Sequence, residues 1–248
     1  MIVIKSAHDL EIMRIAGRIS AEALRIGGES VKPGVTTKEI NDVIDQFIRS
    51  QGATPSFLGY NGFPGSACIS INDEVIHGIP GNRKLVSGDI VSIDVGAIYQ
   101  GLHGDNAATF ACGEIADELR QLMDVTEQSL HKGIEAAVAG NRVGDISNAV
   151  QIHVEQFGYG VVREFVGHGI GREMHQSPEV PNFGKPGRGA RLTEGMTIAI
   201  EPMINLSGAD VEVLEDGWTV LTKSRKPSAH FEHTIAITQK GPVILTRP

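Results

Sequence analysis

The stretch 165–176, FVGHGIGREMHQ, holds two histidines, His168 and His175, among glycines, and neither belongs to an HExxH pattern. Histidines in such a segment are metal ligands, catalytic bases or plain loop residues. Which of these they are depends on the acids that the rest of the chain can bring to them. Asp94 is one such acid. It lies in IVSIDVGAIY (90–99), where Val91, Ile93, Val95, Ala97 and Tyr99 alternate with Ser92, Asp94 and Gly96. Period two marks a strand and puts Asp94 on the face opposite the apolar residues. Asp105 follows in QGLHGDNAATF. A hairpin turning at Tyr99–Gln100, with Gly101 easing the turn, sets residues whose numbers sum to 199 opposite each other. Asp94 then faces Asp105, with Cβ atoms about 5 Å apart. Two carboxylates so placed repel unless a cation lies between them. The plain alternative is a solvated strand face with two incidental acids, and the apolar run around Asp94 speaks against it.

Glu201 and Glu232 repeat the pattern. Glu201 ends the apolar run TIAIE before Pro202, and Glu232 opens FEHTIAIT; neither run contains a lysine or arginine. Buried carboxylates need a partner, and a divalent metal is the simple one. Asp94, Asp105, Glu201 and Glu232 carry four negative charges, which two divalent cations neutralise. Oxygen-rich ligation with one imidazole suits manganese, iron or cobalt better than a thiolate-bound structural zinc. Two such ions sharing a water ionise it near neutral pH and polarise a carbonyl. That is chemistry for amide hydrolysis, although the charge count does not name the substrate.

The elements that must position these residues come in a repeated order. VKPGVTTKEINDVI (31–44) resembles VAGNRVGDISNAV (138–150), with Gly34/Gly140, Ile40/Ile146 and Gly52/Gly158 each 106 apart. LVSGDIVSID (85–94) resembles LTEGMTIAIE (192–201), with Leu85/Leu192, Gly88/Gly195 and Asp94/Glu201 each 107 apart. The near-constant offset reads as an internal duplication of one catalytic domain, with halves of approximately 1–110 and 111–248 related by a pseudo-twofold axis. Ser6 and Asp9 form a capping box before an amphipathic helix over about 8–28, and Thr36 and Glu39 repeat it before a helix to about 50. Helical patterns also run over about 115–138 and 145–157. Strand-like runs follow each helix pair: SACISIN, GDIVSIDVGAIY, GMTIAIEPMI, WTVLT, FEHTIAIT and PVILT. The order lacks βαβ alternation, so the expected class is α+β, a curved, mostly antiparallel sheet with outer helices.

Composition narrows the function classes. A net charge of −8 argues against a nucleic-acid binder, and no run of 18 apolar residues offers a membrane span. The N-terminus lacks a leader pattern, and Cys68 and Cys112 sit in unrelated contexts, so a reducing cytoplasmic compartment is expected. Nothing suggests an obligate partner, and a monomer is expected.

In order along the chain, HGIP, DVG…HGD, GHGIG…H, IEP and FEHT resemble the type I methionine aminopeptidases of the pita-bread metallopeptidase superfamily, over essentially the whole sequence. The resemblance implies a pita-bread fold and removal of N-terminal methionine from nascent polypeptides with a small second residue, by attack of a metal-bridging hydroxide. It implies Asp94, Asp105, His168, Glu201 and Glu232 as ligands of two divalent ions (cobalt, manganese, iron or zinc), with Asp105 and Glu232 bridging. His175 is then off the metal, bonded to the substrate carbonyl or the tetrahedral oxyanion. His77, in VIHGIPG, holds the substrate amide, and Glu201 also shuttles a proton to the leaving amine. The methionine pocket falls on Phe57, Tyr60, Phe63, Cys68, Met174 and Trp218. Carbonyls of Asn72, Glu74 and Ser228 match a monovalent-cation site for sodium or potassium. His103 reads as structural, and His8, His131, His153, His230 and His233 have no independent case.

The sequence also departs from the family. Phe57 stands where relatives often have cysteine, Met174 where they often have phenylalanine, and Asn61 where some carry histidine. The loop 207–217 is acidic, with Asp210, Glu212, Glu215 and Asp216, where some bacterial relatives are basic and dock on the ribosome; this argues against ribosome contact through it. Prolidases and aminopeptidase P share the ligands but usually carry an extra N-terminal domain. Type II methionine aminopeptidases have a helical insertion, for which the 26 residues from His175 to Glu201 leave no room. A non-catalytic pita-bread binding module loses ligands, and none is missing here.

Overall fold

Capping fixes where the first two helices begin. Ser6 accepts from the Asp9 amide while the Asp9 carboxylate takes the Ser6 amide, and Thr36 and Glu39 do the same one element later. Each such cap contributes about 1 kcal/mol. The helices are α1 (Ala7–Glu29) and α2 (Thr37–Ser50). Strands β1 (Thr54–Pro55), β2 (Ala67–Ile71), β3 (Glu74–Ile76), β4 (Ile90–Tyr99) and β5 (Leu102–Ala111) come next. A second helix pair follows, α3 (Asp117–Ala136) and α4 (Val143–Glu155). Then come β6 (Gly160–Val161), β7 (Gly167–Gly169), β8 (Gln176–Val180), β9 (Thr197–Ile200) and β10 (Met203–Asn205). The last strands are β11 (Val211–Val213), β12 (Val220–Thr222), β13 (Ser228–His230), β14 (Glu232–Thr238) and β15 (Gly241–Ile244). This is a computed structural model, and it describes residues 2–247. No described helix is long and apolar enough to cross a membrane.

The main sheet runs β1-β4-β5-β14-β9-β7-β8, with β2 also on β4 and β15 also on β14; every pairing is antiparallel. The sheet is curled, with the helices on one face, as the lack of βαβ alternation led us to expect. Alternation sorts its two faces. Val91, Ile93, Val95 and Ala97 of β4 pack with Ile19 and Ala23 of α1 and Ile40, Ile44 and Ile48 of α2. Ile198 and Ile200 of β9 and Ile235 and Ile237 of β14 pack with Leu122, Val125 and Leu130 of α3 and Ile146 and Val150 of α4. Because strand side chains alternate, the residues between these apolar positions face away from the helices. Asp94, Thr197, Ala199 and Thr234 are among them. Two helix-backed cores thus present one shared polar face.

Helix α1 lies almost backbone to backbone on β5. A Cβ on Gly104 would stand 2.5 Å from the Gly17 amide nitrogen. Only glycine fits at that crossing, which sets the height of β5 one residue before Asp105.

The β4–β5 hairpin differs from expectation in register. Tyr99 pairs with Leu102, so the two-residue turn is Gln100–Gly101, with φ 48° and 77°. Both loop positions need positive φ in this kind of turn, and glycine takes the second readily. Facing residues therefore sum to 201: Asp94 faces Ala107, and Gly96 faces Asp105. The two acids are diagonal neighbours rather than direct opposites. A slip of two residues preserves the face, whereas a slip of one would have reversed it.

Candidate metal centre and active site

Five neighbouring strands each deliver one side chain to the shared face. In sheet order they are Asp94 on β4, Asp105 on β5, Glu232 at the start of β14, Glu201 just past the end of β9, and His168 on β7. Ala107 pairs with both Asp94 and Glu232, so a methyl group separates the two acids in that row and leaves space above it. Pro202 follows Glu201, and β9 stops there; the backbone is caught instead by Asn182, whose side-chain amide donates to the Glu201 carbonyl at 3.0 Å.

These groups are crowded and dry. Asp105, Glu232 and His168 are 4%, 2% and 7% exposed, and donor atoms of all three lie within 4.8 Å of one another. Burial, and then mutual repulsion, hold the Asp94 and Glu232 carboxyls well above the usual range. Glu201 is raised by burial and by Asp105, and burial lifts Asp105 to about 7. Burial likewise depresses His168 to about 3, with His175 adding to it, so the imidazole is neutral. Asp94 Oδ1, Asp105 Oδ1 and Glu232 Oε1 are buried with no hydrogen-bond partner among the described residues.

His168 fits a metal on its own geometry. Its Nδ1 lies 2.9 Å from the Gly169 carbonyl oxygen and donates to it. A neutral ring has one proton to give, so Nε2 carries a bare lone pair. That lone pair faces Glu201 Oε1 at 3.5 Å. Two acceptors set against each other in a buried site need a shared proton or a cation between them, and a cation also answers the orphaned carboxylate oxygens beside them. Oxygen donors with one such nitrogen suit a divalent ion, and the residues fit it.

A cavity of about 240 Å³ opens onto this row. Asp94, Asp105, His168, Glu201 and Glu232 line it together with His77, His175, Phe57, Tyr60, Phe63, Cys68, Met174 and Trp218. Phe57, Phe63, Cys68 and Met174 form one buried cluster, with Tyr60, Ile79 and Trp218 packed against it. Trp218 is placed by an acid from the loop 207–217. Asp216 accepts from the Trp218 and Thr219 amides, both at 2.8 Å, and from the Thr219 hydroxyl at 2.7 Å. The indole then meets Phe63 edge-on, with centroids 5.0 Å apart, and stands 6.2 Å from His77. Cys68 pairs with Asp94 across β2 and β4. Burial and that neighbour push its thiol well up, so it is a pocket wall and no nucleophile.

The two remaining histidines flank the acids. The His175 ring centroid is 4.2 Å from that of His168, and its Nδ1 is 2.8 Å from the Tyr60 hydroxyl. Tyr60 was expected only as a pocket wall, but it also orients His175. His77 has φ 58°, an unusual backbone for a non-glycine residue and one that tends to mark functional sites. Burial lowers both histidines, His77 to about 4, so they are neutral hydrogen-bonding groups at pH 7. His103 is buried with Nδ1 2.9 Å from Ser56 Oγ, as befits a structural residue. Away from the cavity, the Ser228 amide donates to the Asn72 carbonyl at 2.8 Å, while Glu74 pairs with Leu221 in a small separate sheet.

His230 corrects the sequence reading, which found no case for it. It is 1% exposed, and its Nε2 lies 3.7 Å from Glu201 Oε2. Donor atoms of Glu201, His230 and Glu232 all fall within 4.8 Å of one another. The available signal was the spacing His230-x-Glu232, since alternate residues of extended chain share a side.

Comparison with known proteins agrees with this geometry. The pattern of metallopeptidase family M24 matches residues 11–239. The methionine aminopeptidase of Clostridium perfringens is 53% identical over 246 residues, covering 99% of each chain. Methionine aminopeptidase 1 of Bacillus subtilis is 51% identical over 247 residues, covering all of both. The crystal structure of the Rickettsia prowazekii methionine aminopeptidase superposes with a TM-score of 0.98 over the full length of both chains at 44% identity. The Pyrococcus furiosus prolidase shares the fold (TM-score 0.82) at 23% identity, and the match covers 66% of that chain. The chain belongs to metallopeptidase family M24, among its type I methionine aminopeptidases.

Proposed function

We propose that the protein removes the N-terminal methionine from nascent polypeptides whose second residue is small, with Asp94, Asp105, His168, Glu201 and Glu232 holding two divalent ions. The observation that carries this reading is the Nε2 lone pair of His168 set against a Glu201 carboxylate oxygen at 3.5 Å, amid orphaned acid oxygens. Divalent ions held there lower the pKa of a water and polarise the scissile carbonyl; cobalt, manganese, iron and zinc are the candidates.

The chain's own residues supply the rest. The methionine side chain enters the cluster of Phe57, Phe63, Cys68 and Met174 under Tyr60 and Trp218. Thioether sulfur packs well against aromatic edges, and Phe63 and Trp218 provide them. His77 bonds the substrate amide. With the Tyr60 hydroxyl donating to its Nδ1, His175 presents an Nε2–H that donates a hydrogen bond to the oxyanion formed as the amide is attacked. Glu201, its carboxyl made more basic by burial and by Asp105, takes a proton from the attacking water and passes it to the leaving amine. We further propose that the two halves, approximately 1–110 and 111–248, are duplicated units of a single catalytic domain. Carbonyls of Asn72, Glu74 and Ser228 would hold a sodium or potassium ion that braces β3 against β13.

Three peptides test the assignment: Met-Ala-Ser, Leu-Ala-Ser and Met-Arg-Ser, each with and without added divalent metal. Cleavage of the first alone, and only with metal, is expected. One missing or misplaced pocket contact is worth roughly 10–200-fold in discrimination, so Leu-Ala-Ser should trail by at least that range. Cleavage of an Xaa-Pro dipeptide in preference to Met-Ala-Ser would point to a prolidase instead.

A further inference from the structure

We infer that His230 is a positioning residue for Glu201, its Nε2–H bonding Glu201 Oε2 and keeping the other oxygen turned toward His168. The inference rests on the metal-centre reading above.

Glu201 stands between two imidazoles. Its Oε1 faces His168 Nε2 at 3.5 Å, and its Oε2 faces His230 Nε2 at 3.7 Å. The two contacts differ in kind. The proton of His168 is committed to the Gly169 carbonyl, so that side of Glu201 is the cation side. His230 Nε2 is buried without a partner among the described residues, and the bonds of His230 to Thr109 run through its backbone amide and carbonyl, leaving the ring tautomer free. A buried N–H without an acceptor is unfavourable, and the nearest acceptor is Glu201 Oε2. A shift of less than about 1 Å brings the pair to hydrogen-bond length. Glu201 needs such a hold. Its strand has ended, Pro202 follows it, and Asn182 fixes only its backbone carbonyl. Carboxylates that ligate metals are commonly oriented by a second hydrogen bond of this sort.

The test compares His230→Ala and His230→Gln with wild type, all first stripped by chelation. Each is then titrated with Co²⁺ by calorimetry and visible absorption and assayed on Met-Ala-Ser. In the alanine variant Co²⁺ affinity and kcat should each fall about 10–100-fold while KM stays within about twofold. Glutamine, which retains an N–H donor, should restore both to within about threefold of wild type. The cobalt band should keep its position throughout, because no ligand is lost. An alanine variant equal to wild type in affinity and kcat would overturn the inference. So would a glutamine variant as impaired as alanine, or a cobalt band that moves when His230 is removed; the last would make His230 a ligand. Wild type that takes up no Co²⁺ would defeat the metal-centre reading itself, which separates the two failures.

Discussion

Asp105→Ala is expected to abolish peptide hydrolysis and divalent-metal content together. Asp105 stands on β5 between the strand of Asp94 and the strand of Glu232, and its carboxylate shares a 4.8 Å neighbourhood with His168 and Glu232. No neighbouring acid can move across to replace it, because each is fixed on its own strand. A loss of at least about 10³-fold in kcat/KM, roughly 4 kcal/mol of transition-state stabilisation, follows if the centre no longer assembles. Activity at the wild-type level would refute the reading. The same residue gives a second readout in chelated protein. The folded acids hold their protons more tightly than ordinary carboxyls, with Asp105 raised from 3.8 to about 7 by burial. Through Asp105 the folded state binds more protons than the unfolded one between those values, so this group's contribution to stability falls as pH rises through that window. The buried histidines, which act in the opposite sense, are common to wild type and Asp105→Asn. The melting temperature of metal-free wild type, measured relative to metal-free Asp105→Asn, should therefore fall from pH 4 to pH 7. An equal slope in both would mean that Asp105 is not a strained carboxylate.

His175→Ala is expected to separate chemistry from metal. It should lower kcat by about 10²–10³-fold, the usual range for removing an oxyanion donor, while metal content stays at the wild-type value. The ring is held by Tyr60 on one side and lies tilted against His168 on the other, but it is not among the acids' close neighbours. Elemental analysis beside the kinetics reads the split. A variant unable to hold metal would make His175 a ligand and reverse its role with that of His168.

What the sequence disclosed and what it hid follow from the range of the interactions involved. The caps at Ser6 and Thr36 are local chemistry, and the helices begin where those residues say. The alternation in IVSIDVGAIY is also local, so the face of Asp94 was readable. The hairpin register was not, because it turns on which of three adjacent residues adopt positive φ, and Gln100 does so without being glycine. The strand carrying His168 was invisible to hydropathy, since GHG has no apolar side chain to alternate. His230 was missed for a different reason. Its significance comes from Glu201, 29 residues earlier in the chain, and the alternation His230-x-Glu232 alone does not connect it to that residue. Tyr60 was placed in the pocket, but its bond to His175 spans 115 residues and needed the fold to reveal it.

The central claim is that acids on neighbouring strands from both ends of the chain converge to trap divalent cations. Anomalous scattering from crystals soaked in Mn²⁺ tests it most directly. Two peaks enclosed by Asp94, Asp105, His168, Glu201 and Glu232 are the expected result. An empty map at that position in protein that still cleaves Met-Ala-Ser after exhaustive chelation would contradict it.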